Sequence, residues 1–95
     1  MIYRTQIVVC QPGKRTALLG ALEKGAAAGI PGMSGQQVVA DAHDENTVVI
    51  LQTWESKEAA DTFQASLPPE KAAMFQSLMS SRTMCWHSET LALPA

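Results

Sequence analysis

Residues 47–55 form the stretch that most constrains how this chain folds. They read Thr-Val-Val-Ile-Leu-Gln-Thr-Trp-Glu, with four consecutive apolar residues, three of them β-branched. A short run of this kind is typical of a strand. Side chains alternate along a strand, so Val49 and Leu51 point to one face and Val48 and Ile50 to the other. Both faces are apolar, so each needs a cover. Helices of this chain can supply one cover, and a second copy of the chain is the natural candidate for the other.

The composition is that of a small globular chain whose surface is poor in charge. Of its 95 residues, 46% are hydrophobic and 17% are charged, and the net charge is −2. These values predict one domain over residues 1–95, with part of its surface hidden in an oligomer. The sequence contains no basic run, so we expect neither nucleic acid nor an anionic membrane as a partner.

The sequence carries no recognisable targeting signal. No stretch approaches the roughly 20 apolar residues of a membrane span, and the first residues lack the pattern of a signal peptide. Cys10 and Cys85 are too few for a disulfide framework or a zinc site. We therefore expect a cytoplasmic protein with free thiols.

Hydrophobic spacing and turn residues predict the order βαββαβ. Strands are expected over residues 2–10, 33–40, 47–55 and 83–93, a first helix over 14–29 and a broken second helix over 56–81. Ser56 is a candidate N-cap, and Pro69 can open the second half of the broken helix. Right-handed crossovers then give a ferredoxin-like α+β fold, in which a four-stranded antiparallel sheet carries both helices on one face.

The first predicted helix has an unusually small face. Gly20, Gly25 and Gly29 each weaken a helix by about 1 kcal/mol relative to alanine. In exchange, they either let a neighbouring backbone approach closely or leave space for a ligand.

Four short motifs resemble those of a known family. They are Pro12-Gly13-Lys14, Pro31-Gly32-Met33, the hairpin residues 45–49 and, most distinctively, Trp54-Glu55-Ser56-Lys57-Glu58-Ala59. Together they resemble the antibiotic biosynthesis monooxygenase family over residues 2–93. The resemblance implies a homodimer in which two ferredoxin-like monomers pair sheet to sheet, the dimeric α/β barrel.

This family includes quinol and anthrone oxygenases, haem-degrading enzymes and proteins of unassigned function. For the oxygenases, the resemblance implies a cofactor-free reaction, in which a small electron-rich aromatic (a phenol, quinol or anthrone) is deprotonated and its anion gives electrons to O₂. Such a pocket needs a base, donors that stabilise the oxyanion, and apolar walls. The alternative is a non-catalytic small-molecule-binding or stress-response protein that uses the same cavity.

The haem-degrading members have an asparagine on the first strand, a tryptophan in the second helix and a histidine ligand after it. This chain has Thr5 or Gln6 on that strand, Phe63 near the tryptophan position, and no histidine between Trp54 and His87. The departure argues against haem, and we expect no cofactor.

His87, Trp86, Arg4 and Tyr3 are the candidate catalytic residues. His87 is the preferred base because the pKa of histidine falls near physiological pH. Trp86, Tyr3 or Arg4 would stabilise the substrate anion, Arg4 with a permanent charge. The structural alternatives are a histidine at a subunit edge and side chains at the barrel rim. Cys85 is expected to be a free buried thiol, since no third group completes a Cys-His pair.

Strand alternation limits this assignment. Cys85 and His87 share a face of a regular strand, and Trp86 points to the other face. Only one of His87 and Trp86 can therefore face a helix-covered cavity, and the other lines the barrel interior, unless a bulge re-aims it.

Six apolar residues are candidates for substrate-binding walls: Trp54, Phe63, Met74, Phe75, Leu78 and Met79. A tryptophan can stack on a flat aromatic substrate, and methionine suits an adaptable wall. Ordinary packing in a helix core is the structural alternative for each of them.

An acidic turn precedes the central strand and contains Asp41, His43, Asp44 and Glu45. Side chains in such a turn fan apart, and acidic turns are ordinarily solvated. We therefore predict no metal site there.

Overall fold

The first strand occupies the middle of the sheet, between the third and the fourth. The computed structural model describes residues 1–88. Its elements are, in chain order, β1 (Ile2–Cys10), α1 (Arg15–Ala28), β2 (Met33–Ala40), β3 (Thr47–Trp54), α2 (Lys57–Ser66), α3 (Pro69–Leu78) and β4 (Met79–His87). The strand order is β2-β3-β1-β4, and each pairing is antiparallel. The predicted ferredoxin-like α+β fold is confirmed, together with its broken second helix.

Strand alternation divides the sheet into a face covered by the helices and an open face. On the covered face, Val8, Val48 and Ile50 are at most 3% exposed. With Cys10 and Leu18 they form the main apolar core, against which side chains of α1 and α3 pack. Full burial of one aliphatic side chain of this size contributes about 1.5–3 kcal/mol.

The open face carries exposed apolar side chains at its centre. Ile7, Val39 and Leu51 are 46%, 43% and 40% exposed. They lie on three adjacent strands. Val49 of β3 joins them, because it pairs with Ile7 of β1 on one side and with Val39 of β2 on the other. An apolar patch of this kind is a candidate surface for contact with another molecule.

The helix ends follow local backbone chemistry. α1 ends at Ala28 because Gly29 adopts a positive φ of 82° and turns its N–H to the carbonyl of Ala26, so the helix stops one residue before its predicted end at residue 29. Ser56 caps α2 as predicted, its Oγ accepting from the N–H of Ala59 at 3.0 Å. Within residues 1–88, no helix is long and apolar enough to cross a membrane.

The last strand begins earlier than the sequence predicts. The prediction continued the second helix to residue 81 and began the strand at residue 83, whereas α3 ends at Leu78 and β4 begins at Met79. Met79 is already extended, with φ −108° and ψ 140°, and it pairs with Cys10 of β1. Pairing with the central strand thus outweighs the helical pattern of the sequence. Residues 89–93 of the predicted strand lie outside the described residues.

Arg15, at the start of α1, fastens this helix to the hairpin between β2 and β3. Its guanidinium donates to the backbone carbonyls of Asp41 at 3.1 Å, Asp44 at 2.9 Å and Thr47 at 3.4 Å. These carbonyls span the whole bend, from the end of β2 to the start of β3. One side chain therefore fixes the position of the hairpin relative to α1.

The glycines of this chain serve two different purposes. A Cβ added at Gly20 or Gly25 would meet no atom within 4 Å, so these positions leave open space beside α1. Gly32 has a φ of +83°, and a Cβ there would lie 2.6 Å from the Cβ of Ala59. Its carbonyl also accepts from the N–H of Glu55 at 2.8 Å. Gly32 therefore lets α2 pack directly on the loop before β2.

We expect Gly32→Ala to lower the free energy of unfolding by about 1–3 kcal/mol, because it combines a strained φ with a clash. Gly25→Ala is the matched control and should raise that free energy by about 0.5–1 kcal/mol, because an exposed helical glycine is replaced in open space. Urea denaturation at one fixed protein concentration measures both. Equal stability of the two variants would contradict the close contact at Gly32.

Candidate functional site

A cluster of polar side chains lies on the helix-covered face, centred on the amide oxygen of Gln52. This Oε1 accepts from Arg4 Nε at 2.9 Å and Nη2 at 2.7 Å, from Trp54 Nε1 at 3.0 Å and from Gln6 Nε2 at 3.3 Å. The amide nitrogen of Gln52 donates to Gln36 Oε1 at 2.8 Å. Four N–H groups converge on one carbonyl oxygen, so the cluster is rich in donors relative to acceptors.

Strand register brings this donor cluster together. Arg4 and Gln36 both pair with Gln52, on the two strands that flank β3. Gln6 lies two residues along β1 from Arg4 and therefore points to the same face. Gln6 and Gln52 are only 5% and 8% exposed. Polar groups buried to this degree need partners, and these residues supply them to one another.

Arg4 is held between two indole rings. Its guanidinium carbon lies 5.4 Å from the ring centroid of Trp54 and 5.1 Å from that of Trp86, which pairs with Arg4 across β4. Burial lowers the pKa of Arg4, the charge of Arg82 lowers it further, and Asp61 raises it by a smaller effect. The ordinary pKa of arginine lies so far above neutral pH that the side chain stays charged despite this lowering. Arg4 thus presents a cation in partly dry surroundings.

A cavity of about 910 Å³ lies between the helices and the covered face of the sheet. Its floor includes Arg4, Gln6, Gln52, Val8 and Ile50, and the small residues of α1 border it. The empty space at Gly20 and Gly25 belongs to this cavity. Of the two purposes open to the glycine-rich face, the structure therefore favours space for a ligand. The volume is within the roughly 300–1,000 Å³ of small-molecule sites.

The predicted wall residues divide into two groups. Phe63, Met74, Phe75 and Met79 line this cavity. Leu78 instead packs against the main core.

Trp54 is buried and lies behind the donor cluster. It is 1% exposed, and its ring centroid is 6.1 Å from that of Phe63. Its site contribution is the indole N–H that it donates to Gln52, not a stacking surface.

Tyr3 and His87 lie together on the open face of the sheet. They pair across β1 and β4, and with Leu51 and Thr53 they border a second pocket of about 380 Å³. Its lining also includes Arg4, Gln36 and Gln52, which it shares with the helix–sheet cavity. His87 Nε2 and Thr5 Oγ1 are 3.1 Å apart. The predicted catalytic set is thus split, with Arg4 and Trp86 on the covered face and Tyr3 and His87 on the open face.

The register of β4 decides between the two alternatives that strand alternation left open. It turns the ring of His87 away from the helix-covered cavity and turns Trp86 toward that side. Cys85 lies on the same strand face as His87. It is an exposed free thiol rather than the expected buried one, because nothing within residues 1–88 covers that face of the edge strand.

The acidic turn uses its carboxylates for its own backbone. Asp41 accepts from the N–H groups of His43 at 2.9 Å and Asp44 at 2.6 Å, and Asp44 accepts from Asn46 N–H and Thr47 Oγ1. These hydrogen bonds lower the pKa of Asp41 and Asp44. In the described part of the chain, no group of three or more His, Cys, Asp or Glu side chains is arranged to hold a metal ion.

Three glutamines of the site, Gln6, Gln36 and Gln52, were not singled out from the sequence. The sequence did contain a signal for Gln52. It alternates in step with Val48, Ile50 and Trp54 and so lies on their face of the strand, and a polar residue on an otherwise apolar face often has a specific role. The convergence of all three required the register, which the sequence does not supply.

Comparison with known proteins identifies the family. The sequence profile of the antibiotic biosynthesis monooxygenases matches residues 1–79. The chain belongs to this family. No curated protein sequence matches it significantly.

Solved structures share the fold of this antibiotic biosynthesis monooxygenase family member. A Chloroflexus aurantiacus J-10-fl protein named for the same family superposes with a TM-score of 0.80 at 22% identity, over 99% of this chain and 98% of that one. A mutant of SnoaB, a cofactor-independent oxygenase from Streptomyces nogalater, gives 0.77 at 15% identity, over 99% and 97%. PA3566 from Pseudomonas aeruginosa gives 0.76 at 14% identity, over 95% and 94%.

The arrangement suits the binding of an anionic oxygen. Four donors share the two lone pairs of Gln52 Oε1, so an anionic oxygen placed beside them would be a second acceptor for the same donors. Fixed donors stabilise a negative oxygen without having to reorient when the charge develops. The apolar side chains of the cavity cover part of a ligand bound there.

Gln52→Leu should lower the free energy of unfolding by about 2–4 kcal/mol, because it leaves the donors of Arg4, Gln6 and Trp54 buried without their acceptor. Gln52→Glu keeps an acceptor oxygen beside Arg4 and should lose less than half as much. Urea denaturation of the two variants compares them. Similar losses in both would mean that the shape of Gln52, not its acceptor oxygen, stabilises the fold.

Proposed function

We propose that this protein is a cofactor-independent monooxygenase that oxidises an electron-rich phenol, quinol or anthrone with O₂ in the helix–sheet cavity. The observation that carries the proposal is the donor cluster of Arg4, Gln6 and Trp54 around Gln52, at the floor of a cavity with apolar walls. Membership of the family and the shared fold with a cofactor-independent oxygenase support it.

Arg4 is the central residue of the proposed mechanism. An ionised hydroxyl placed over the donor cluster meets a guanidinium that burial has stripped of part of its water. The charge lowers the pKa of the substrate hydroxyl, so the anion forms near neutral pH. The two indoles fix the guanidinium in place, so little reorganisation is needed when the charge develops.

The reaction needs no group beyond the substrate and O₂. For an anthrone, the substrate anion transfers one electron to O₂, and the resulting radical pair combines to a peroxide. Loss of water from the peroxide leaves a carbonyl, so a CH₂ group and O₂ become a C=O group and H₂O. For a quinol, two electrons and two protons pass to O₂ without insertion of oxygen, an oxidase reaction that gives the quinone and hydrogen peroxide.

The proton of the substrate leaves to solvent in this proposal. Among residues 1–88, no His, Asp, Glu, Cys or Tyr side chain lines the helix–sheet cavity. The base role predicted for His87 belongs to the open-face pocket, where Tyr3 and Thr5 surround it. The same lack of a base in the helix–sheet cavity favours the second candidate function, a protein that binds aromatic anions without oxidising them.

Oxygen uptake with a panel of anthrones and quinols, corrected for spontaneous oxidation, tests the proposal. Arg4→Gln should lower kcat about 10²–10³-fold, as the loss of an oxyanion donor does. The kcat of Arg4→Lys should lie between that of Arg4→Gln and that of the parent protein. His87→Ala should stay within about twofold of the parent, because a base acts only within hydrogen-bond reach of its proton. The thermal midpoints of the variants serve as the folding control.

Two results would redirect the assignment. A crippled His87→Ala beside an active Arg4→Gln would move the chemistry to the open-face pocket. No uptake across the panel, together with binding of the corresponding quinones, would establish the binding protein instead.

We further propose that the protein is a cytoplasmic homodimer joined through the open face. The exposed Ile7, Val39 and Leu51 and the partly exposed Val49 lie together on adjacent strands, and nothing within residues 1–88 covers them. An obligate dimer of this kind buries about 2,000 Å² or more in total. The open-face pocket at Tyr3 and His87 would then lie between the two sheets.

Sedimentation at micromolar concentration should give twice the mass of the 10.2 kDa chain. Leu51→Lys should shift the protein toward monomer, because it places a charge in the apolar patch. Ala73→Lys, on the exposed side of α3, is the matched control and should leave the dimer intact. A monomeric parent protein would overturn the proposal.

A further inference from the structure

Each charged side chain that lines the helix–sheet cavity within residues 1–88 is a cation. The four are Arg4, Lys24, Lys71 and Arg82. The whole chain has only seven Lys and Arg against nine Asp and Glu, with a net charge of −2. Four of the seven basic residues therefore border one cavity in an acidic protein. Charges of one sign along a cavity raise the local concentration of a ligand of the opposite sign.

Two of these cations mark separate places on the cavity floor. Arg4 lies opposite Trp86, and Arg82 lies opposite Val8, so their positions are four residues apart along β4. At about 3.3 Å per strand residue, this corresponds to about 13 Å along the sheet. Both side chains line the same cavity, from strand positions that an elongated ligand can connect.

The floor between the two arginines is apolar apart from Gln6, whose amide nitrogen donates to Gln52. Val8 and Ile50 are buried there, and Phe75 borders the same cavity from α3. A ligand that satisfies this surface has a flat apolar body between two polar ends. The half-buried Arg4 lies on the floor, where its guanidinium donates to Gln52 Oε1, whereas Arg82 and Lys71 are exposed at the edge of the cavity.

We propose that the ligand of this cavity is an aromatic carboxylic acid, whose ionisable hydroxyl lies at Arg4 and whose carboxylate lies at Arg82 and Lys71. The inference rests on the proposed function and names its substrate class. A carboxylate fits because the planar fork of arginine binds its two oxygens at once, with an ammonium as a second donor. A carboxylate stays ionised at the exposed edge of the cavity. The reacting hydroxyl needs the less exposed floor, where the charge of Arg4 lowers its pKa.

Isothermal titration of the full chain near neutral pH tests the proposal with two probes, a dihydroxyanthraquinone carboxylic acid and its methyl ester. The acid should bind about tenfold more tightly than the ester, as a charge-assisted pair provides, and the difference should shrink as salt is added. An anthraquinone is already oxidised, so binding is measured whether or not the protein consumes O₂. Absence of oxygen uptake would thus refute the proposed function and leave this inference standing.

Variants of the edge cations locate the carboxylate. Arg82→Gln should reduce the affinity for the acid to about the affinity for the ester, and it should change the affinity for the ester little. Lys71→Gln should reduce the affinity for the acid by a smaller factor. Lys57→Gln is the matched control, an exposed cation on α2 that does not line the cavity, and it should change neither affinity.

Three results would overturn the proposal. In the first, the acid and the ester bind equally well, and in the second, neither binds. In the third, the acid keeps its advantage in both Arg82→Gln and Lys71→Gln, which would place the carboxylate elsewhere.

Discussion

The structure depends on how Gln52 accommodates the charge of Arg4. A guanidinium moved out of water normally meets a carboxylate, since an unpaired buried charge is costly. Here it meets the neutral amide oxygen of Gln52 at 2.7 and 2.9 Å and the faces of two indoles. The hydrogen bonds and rings hold the cation without neutralising it. Its positive charge is therefore still available to an anion.

This polar cluster also explains why the helix layer stays open at its centre. On one side of it, Val8, Val48 and Leu18 close the main core. On the other side, Trp54 packs against Phe63, and Gly32 lets α2 approach without a side chain between them. Both ends of the layer are anchored by apolar contact. The middle of the helix layer lies over the glutamines and is bordered by glycine and alanine. The helices stay in place without close packing there.

Much of the fold could be predicted because strand parity is a strong signal. The alternation in residues 47–55 placed Val48 and Ile50 on one face and Val49 and Leu51 on the other, as the structure has them, and the helices cover the first of these faces. Parity also required His87 and Trp86 to diverge. Which of them faces the helices depends on the register of β4 against β1, and pairing between strands remote in sequence leaves no local trace. The start of β4 was missed for the same reason, since Met79 is extended by its pairing with Cys10 and not by its own propensity.

The separation of the two faces decides which chemistry each can support. His87 lies with Tyr3 at the open-face pocket, while the four cations of the helix–sheet cavity lie on the covered side of the sheet. A cavity that supplies positive charge but no base can act only on a substrate whose own anion is accessible, because it can favour ionisation but cannot take the proton. Phenols and anthrones meet this condition, and their anions are also the forms that give electrons to O₂. In the proposed reaction, the identity of the substrate, not a catalytic side chain, therefore carries most of the reactivity, and the protein contributes a fixed charge and apolar walls.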